Sequence, residues 1–304
     1  MTIPMSSILS LNNISKSYGK IQALKDVSFN VPPGSVFGIL GPNGSGKTTL
    51  LGVIMDVLKP RSGSFTWFEK IPSEKQRKEI GTLLETPNFY PYLSGQRNLQ
   101  ITAAIKERPK EDIERVLKLV RLNERRHSKF QTYSLGMKQR LAIASCLLGN
   151  PSVLIFDEPT NGLDPSGIAE IRELIIELAK EGKTIILASH LLAEVEKVCT
   201  HVAILQQGTL ITSGSVRSVL SNEEWLELSA ENMEKLKEVL NQFPGIKKME
   251  EAGSTLLIFL DQSSADAGTI NQFCFEHGVV LNHIQLRKKS LESEFIALTN
   301  NVSN

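Results

Sequence analysis

Val27, Phe29 and Val31 alternate with Ser28 and Asn30, the period-two pattern of a strand with one buried face. Turn signals at Asn12-Asn13 and Gly19 come before it, and Pro32-Pro33-Gly34 ends it. The opening segment is therefore expected to form a small antiparallel sheet. The next run, Val36-Phe37-Gly38-Ile39-Leu40, is apolar throughout, as suits a parallel strand buried on both faces. A glycine-rich loop follows, and residues 48–57 read as a helix. Residues 87–150 have helical periodicity, with Ile113, Val116, Leu117 and Val120 at spacings of three and four. Residues 153–156 read as a second buried strand. Residues 168–180 read as a helix with Ile171, Leu174, Ile175 and Leu178 on one face, ended by Gly182. Residues 184–188 read as a third buried strand. Strands alternating with helices predict an α/β fold around a mixed, mostly parallel sheet.

The pattern changes after about Ser215. Residues 225–228 read as strand and 231–243 as helix. Residues 247–251 and 255–260 read as a strand pair turned at Ala252-Gly253-Ser254. Residues 265–277 read as helix, 279–286 as strand and 291–298 as a closing helix. The order βαββαβ predicts a small α+β domain of ferredoxin-like topology over residues 215–304. The expected domains are thus 7–214, with a helical subdomain at about 87–150, and 215–304.

Composition narrows the class. A chain of 304 residues suits two domains. Lys plus Arg number 34 against 33 Asp plus Glu, which argues against a strongly basic nucleic-acid protein or an acidic tail. Cys146, Cys199 and Cys274 form no CxxC pair and read as reduced, with Cys146 a small buried hydrophobe. No run approaches the roughly 20 apolar residues of a membrane span. The N-terminus carries no charged-then-apolar signal pattern. A cytosolic chain that reaches a membrane through a partner is expected.

The chemistry begins at Gly41-Pro42-Asn43-Gly44-Ser45-Gly46-Lys47-Thr48, which fits GxxxxGK[ST] at every fixed position. The glycines let consecutive amides face an anion, and the helix that follows adds its positive end. Lys47 can reach the β- and γ-phosphates of ATP, and the Thr48 hydroxyl can ligate Mg2+. Chance would give the pattern in roughly one chain of this length in a hundred, and the strand before it and helix after it lower that further. The apolar strand Val153-Leu154-Ile155-Phe156 ends in Asp157-Glu158. Asp157 at the strand end can hold Mg2+ beside the loop. Glu158, one residue on, is expected to face the other side and to act as general base toward water.

With these two motifs in place, residues 9–214 resemble the ATP-binding cassette of ABC transporters. Tyr18 sits where that family stacks an aromatic ring on adenine. Ser134-Leu135-Gly136-Met137-Lys138-Gln139 occupies the place of the signature, usually LSGGQ, with Tyr133, Leu135 and Met137 replacing the usual Leu, first Gly and Gln. Ser134 also reads as a helix cap that leaves amide donors beside Gly136 for an anion. Pro159-Thr160-Asn161-Gly162-Leu163-Asp164 resembles the D-loop, and His190 the switch histidine that touches the γ-phosphate. His127, His201, His277 and His283 have no such company and read as solvated or structural. Glu85 stands where the family usually has glutamine, a charged and harder oxygen donor for Mg2+. Glu85, the stretch Phe89-Tyr90-Pro91-Tyr92-Leu93 and the altered signature resemble cassettes of bacitracin and lantibiotic exporters.

The resemblance implies an ATPase in which two cassettes meet head to tail. ATP would lie between residues 41–49, through Thr49, of one and Ser134 and Gly136 of the other, with Asp164 nearby. One half-site cannot enclose a triphosphate, whereas two can exclude water around it. The implied partners are a second cassette, a copy of this chain, and a separate transmembrane permease that brings the protein to the inner face of the membrane. Residues 89–92 are the candidate contact for that permease. Cassette proteins that act on ribosomes or DNA usually carry two cassettes or a long coiled-coil insertion, and neither appears here. For residues 215–304, dimer contact, regulation and permease docking all remain open. The cargo is not legible, because a cassette does not touch it.

Overall fold

The computed structural model describes residues 6–84, 88–220, 224–260, 266–288 and 290–300. The chain divides into a larger unit, Met1–Val219 together with Ala297–Asn304, and a smaller one, Leu220–Ile296.

The larger unit is built on one sheet. Its strands are β1 (Leu9–Tyr18), β2 (Ile21–Val31), β3 (Val36–Leu40), β4 (Ser62–Trp67), β5 (Ile80–Leu83), β6 (Val153–Asp157), β7 (Thr184–Ser189), β8 (His201–Gln206) and β9 (Thr209–Ser215). Their order is β4-β1-β2-β9-β8-β3-β7-β6-β5. Strands β8, β3, β7, β6 and β5 run parallel to one another, β9 pairs antiparallel with β8, and β1 pairs antiparallel with β2 and β4. The expected small antiparallel sheet is thus the edge of a larger one. Its link is a single parallel pairing, Lys25 with Thr209, from β2 to β9. The residues of β3 and β6 are all buried, which explains their unbroken apolar runs.

The helices of this unit are α1 (Lys47–Ile54), α2 (Glu74–Lys78), α3 (Gly95–Ile105), α4 (Asp112–Leu119), α5 (Leu135–Leu147), α6 (Pro165–Lys180), α7 (Leu192–Val198) and α8 (Val216–Val219). Helix α1 stops three residues short of the predicted end, because Asp56 takes a left-handed backbone with φ 59°. Its last turn is fixed by Trp67, fully buried, whose Nε1 donates to Ile54 O at 2.7 Å. Helices α3, α4 and α5 bury Leu99, Ala103, Ile113, Val116, Leu117 and Leu141 against one another. Of the predicted face of α6, Ile171, Leu174, Ile175 and Leu178 are all buried.

The smaller unit contains β10 (Glu224–Ala230), α9 (Met233–Leu240), β11 (Ile246–Ala252), β12 (Thr255–Leu260), α10 (Ala267–Glu276) and β13 (Leu281–Lys288), followed by α11 (Leu291–Asn300). Its sheet order, β11-β12-β10-β13, with every neighbouring pair antiparallel, is the ferredoxin-like split βαβ arrangement. Leu226, Leu228, Leu236, Leu240, Leu256, Ile258, Ile270 and Cys274 form its core. Helix α9 starts later than predicted because Asn232 caps it, accepting from Lys235 N–H at 2.9 Å. Gly253 makes the β11–β12 turn with φ 63°.

Among the described residues no helix is long and apolar enough to cross a membrane. Cys146, Cys199 and Cys274 are free and buried.

Candidate nucleotide site

The loop from β3 to α1 depends on glycine for backbone shape. Gly41, Gly44 and Gly46 have φ of 153°, 80° and 108°. A Cβ at Gly41 would come 2.2 Å from Leu205 O, and one at Gly46 would come 2.6 Å from Ala23 O. The loop is therefore pressed against β2 and β8. Pro42, Asn43 and Gly44 remain exposed. The turn is closed by Ser45 N–H donating to Pro42 O at 3.1 Å. Gly46 is the N-cap of α1 and offers no side-chain cap, so the first amides of the helix are left as anion donors. Ser45 Oγ is buried and, among the described residues, has no hydrogen-bond partner.

The second strand end meets this loop. Thr48 Oγ1 donates to Asp157 Oδ2 at 2.9 Å. Lys47, buried, donates from Nζ to Gly41 O at 2.8 Å and Pro42 O at 3.3 Å, and lies 3.5 Å from Glu158 Oε1. The other oxygen, Glu158 Oε2, is 2.8 Å from His190 Nδ1. Strand alternation sends Glu158 away from Asp157, yet both carboxylates reach the loop. The reason is local: β6 ends at Asp157, and Glu158 turns the chain with φ 47°. His190 follows β7 directly, the strand paired between β3 and β6, which brings it over the same end of the sheet. Lys47, Thr48, Asp157, Glu158 and His190 thus form one cluster built from three adjacent strands.

The remaining predicted residues are arranged differently. Tyr18 closes β1, half exposed, with Lys16 Nζ 5.4 Å from its ring centroid. Thr49 lies in the first turn of α1, partly buried. Ser134 caps α5, its Oγ accepting from Met137 N–H at 3.2 Å. Gly136 sits in the first turn of α5, and a Cβ built on it would meet nothing within 4 Å. Asp164 caps α6, accepting from Gly167 N–H at 3.0 Å. The hydrogen bonds of Ser134 and Asp164 thus serve helix ends and not the Lys47 cluster. Leu135, in place of a small residue, is half exposed. Glu85 lies outside the described residues.

Two supports escaped the sequence reading. Gly208 N–H donates to Ser45 O at 3.0 Å, and a Cβ on Gly208 would come 2.6 Å from Ala23 O. The turn between β8 and β9 therefore braces the phosphate loop; the Gln207-Gly208 pair was its visible signal. The Lys47–Glu158–His190 linkage has no sequence signal, since it depends on the left-handed turn at Glu158.

Comparison with known proteins agrees with this geometry. The family profile described as "ABC transporter" matches residues 24–161. The uncharacterized ABC transporter ATP-binding protein YhcH of Bacillus subtilis is 38% identical over 302 residues, 97% of each chain. The bacitracin transport ATP-binding protein BcrA of Bacillus licheniformis is 36% identical over 300 residues, 97% of this chain and 98% of the relative. Among solved structures, the dimeric cassette MJ0796 in a post-hydrolysis state with ADP and Pi superposes with a TM-score of 0.61 at 27% identity, covering 69% of this chain and 99% of that one.

Proposed function

The chain belongs to the ABC transporter family as an ATP-binding subunit that hydrolyses ATP, and on that premise we propose that it powers export through a separate membrane permease. The observation that carries this reading is the Glu158 carboxylate held between Lys47 Nζ at 3.5 Å and His190 Nδ1 at 2.8 Å, at the mouth of a phosphate loop.

In this reading the loop Gly41–Thr48, with Thr49, binds the phosphates through its amides and Lys47. Tyr18 stacks on adenine. Glu158 takes a proton from water as the water oxygen bonds to the γ-phosphorus and the bond to the β–γ bridging oxygen breaks, giving ADP and inorganic phosphate. His190 holds the Glu158 carboxylate in line and faces the γ-phosphate. The Thr48 hydroxyl and Asp157 carboxylate are the hard oxygen donors that Mg2+ takes. When bound by Thr48, Asp157 and Glu85, Mg2+ would neutralise phosphate charge.

A second cassette, a copy of this chain, supplies Ser134, Gly136 and Asp164 to complete the site. The solved dimer of MJ0796 supports pairing of this kind. The permease seats on the surface around Tyr90 and Tyr92, both exposed, where Tyr90 lines a cavity of about 360 Å³ with Phe89, Asn98, Ile101 and Ile105. The protein then works at the inner face of the membrane, with no role for nucleic acid. Likeness to BcrA supports a peptide antibiotic or another amphipathic compound as cargo.

Affinity purification of the tagged chain from detergent-solubilised membranes tests the transport reading. Co-purification of a multi-span membrane protein is expected. Recovery of the chain free of any membrane protein would contradict it.

A further inference from the structure

Two stretches of the helical region are zipped together by main-chain hydrogen bonds. Gln131 N–H donates to Pro91 O at 3.0 Å and Phe130 N–H to Leu93 O at 2.8 Å. Gly95 N–H donates to Ser128 O at 3.3 Å and Gln96 N–H to Arg126 O at 3.0 Å. Asn98, buried, adds a clamp: its Oδ1 accepts from Tyr90 N–H at 2.8 Å, and its Nδ2 donates to Tyr90 O and Ser94 O, each at 3.1 Å.

A row of rings follows the same seam. Phe89 meets Phe130 edge-on with centroids 5.2 Å apart, and Phe130 meets Tyr133 at 5.9 Å. The Tyr133 hydroxyl donates to Arg125 O at 2.8 Å. It also lies so close to the start of α3 that a Cβ on Gly95 would come within 2.4 Å of it. Tyr133 is only 4% exposed, while the next residue, Ser134, is exposed and caps α5. The signature turn therefore leaves the fold directly from an immobilised ring. Tyr133 stands where the usual signature has Leu, so the ring and its hydroxyl bond to Arg125 O come with that replacement.

We propose that Phe89, Phe130 and Tyr133 are positioning residues for ATP hydrolysis: an aromatic strut that fixes the direction in which Ser134 and the first turn of α5 are presented. The proposal rests on the reading that Ser134 and Gly136 act on ATP held by a second cassette. Ordinary core packing would account for the burial of Phe130 and Tyr133. It predicts a loss of stability alone, whereas the strut predicts a loss of turnover with the chain's own ATP affinity preserved, because the Lys47 cluster lies on other elements.

The test compares Phe130→Leu, Tyr133→Leu, Tyr133→Phe, Phe89→Leu and Ser134→Ala in the purified full chain. Steady-state ATPase, affinity for a slowly hydrolysed ATP analogue and Tm are measured. Phe130→Leu and Tyr133→Leu are expected to lower kcat on the order of fivefold, with analogue affinity changed less than about twofold. Tyr133→Phe, which keeps the ring, should recover most of that loss, and Phe89→Leu combined with Phe130→Leu should be non-additive. If Phe130→Leu does not fold, the partly buried Phe89→Leu carries the test through amide exchange at residues 135–138, which should speed up. Unchanged exchange there, or kcat unchanged while only Tm falls, would overturn the strut. Ser134→Ala separates the two layers. A fall in kcat for Ser134→Ala without one for the ring variants rejects the strut alone. Unchanged kcat for Ser134→Ala rejects the reading of the signature and the strut with it.

Discussion

His190 Nδ1 lies 2.8 Å from Oε2 of Glu158, and that same carboxylate meets Lys47 through its other oxygen at 3.5 Å. Both oxygens of the carboxylate therefore have fixed neighbours before any water is positioned. A base oriented in this way loses rate, not substrate affinity, when its support is removed. His190→Ala is expected to lower kcat on the order of 100-fold or more and to leave ATP affinity near wild type. Phosphate release and nucleotide titration check the two halves separately.

Two glycines give opposite outcomes. Gly46 combines φ 108° with a Cβ position 2.6 Å from Ala23 O, so Gly46→Ala strains the loop and pushes it from β2. It should cost about 1–3 kcal/mol, lower Tm and abolish ATP binding. At Gly136 a Cβ meets nothing within 4 Å. Gly136→Ala should keep Tm and the chain's own ATP affinity, yet lower ATPase, because in the proposed two-cassette site the added methyl fills the space that a second cassette's nucleotide would approach. Calorimetry and ATPase on the same preparations distinguish them.

The loop was legible in sequence because its geometry is local: eight consecutive residues specify the bend and the places of Lys47 and Thr48. Strands β3, β6 and β7 were legible because full burial leaves an unbroken apolar run. The direction of Glu158 was not, since period-two alternation fails once φ becomes positive at that residue. Nor was the joining of the antiparallel edge to the main sheet. That depends on Lys25 meeting Thr209, a contact between residues far apart in sequence. Helix starts were misplaced where a cap decided them, as with Asn232.

Glu85 adds a negative charge where the resemblance leads one to expect a neutral amide. Glu85→Gln should retain ATP binding and alter the amount of transport per ATP hydrolysed. Paired assays in vesicles containing the permease check this; equal transport per ATP in both proteins would remove any special role for the charge.

Burial pushes the Cys146 thiol up to about 11 and raises the Cys199 and Cys274 thiols as well. At neutral pH all three stay protonated, and the thiolate is the reactive form. Native protein at pH 7.5 should resist iodoacetamide, and labelling should appear together with denaturant unfolding. Mass spectrometry of the labelled peptides reads it directly.

The most direct test of the central claim is size-exclusion analysis of Glu158→Gln with and without Mg-ATP, alongside its ATPase rate. Loss of the base should nearly abolish hydrolysis while Lys47, Thr48 and Asp157 still hold the nucleotide. The variant should then run as a dimer with Mg-ATP and as a monomer without it. Hydrolysis at the wild-type rate, with no ATP-dependent dimer, would contradict both the role of Glu158 and the two-cassette site.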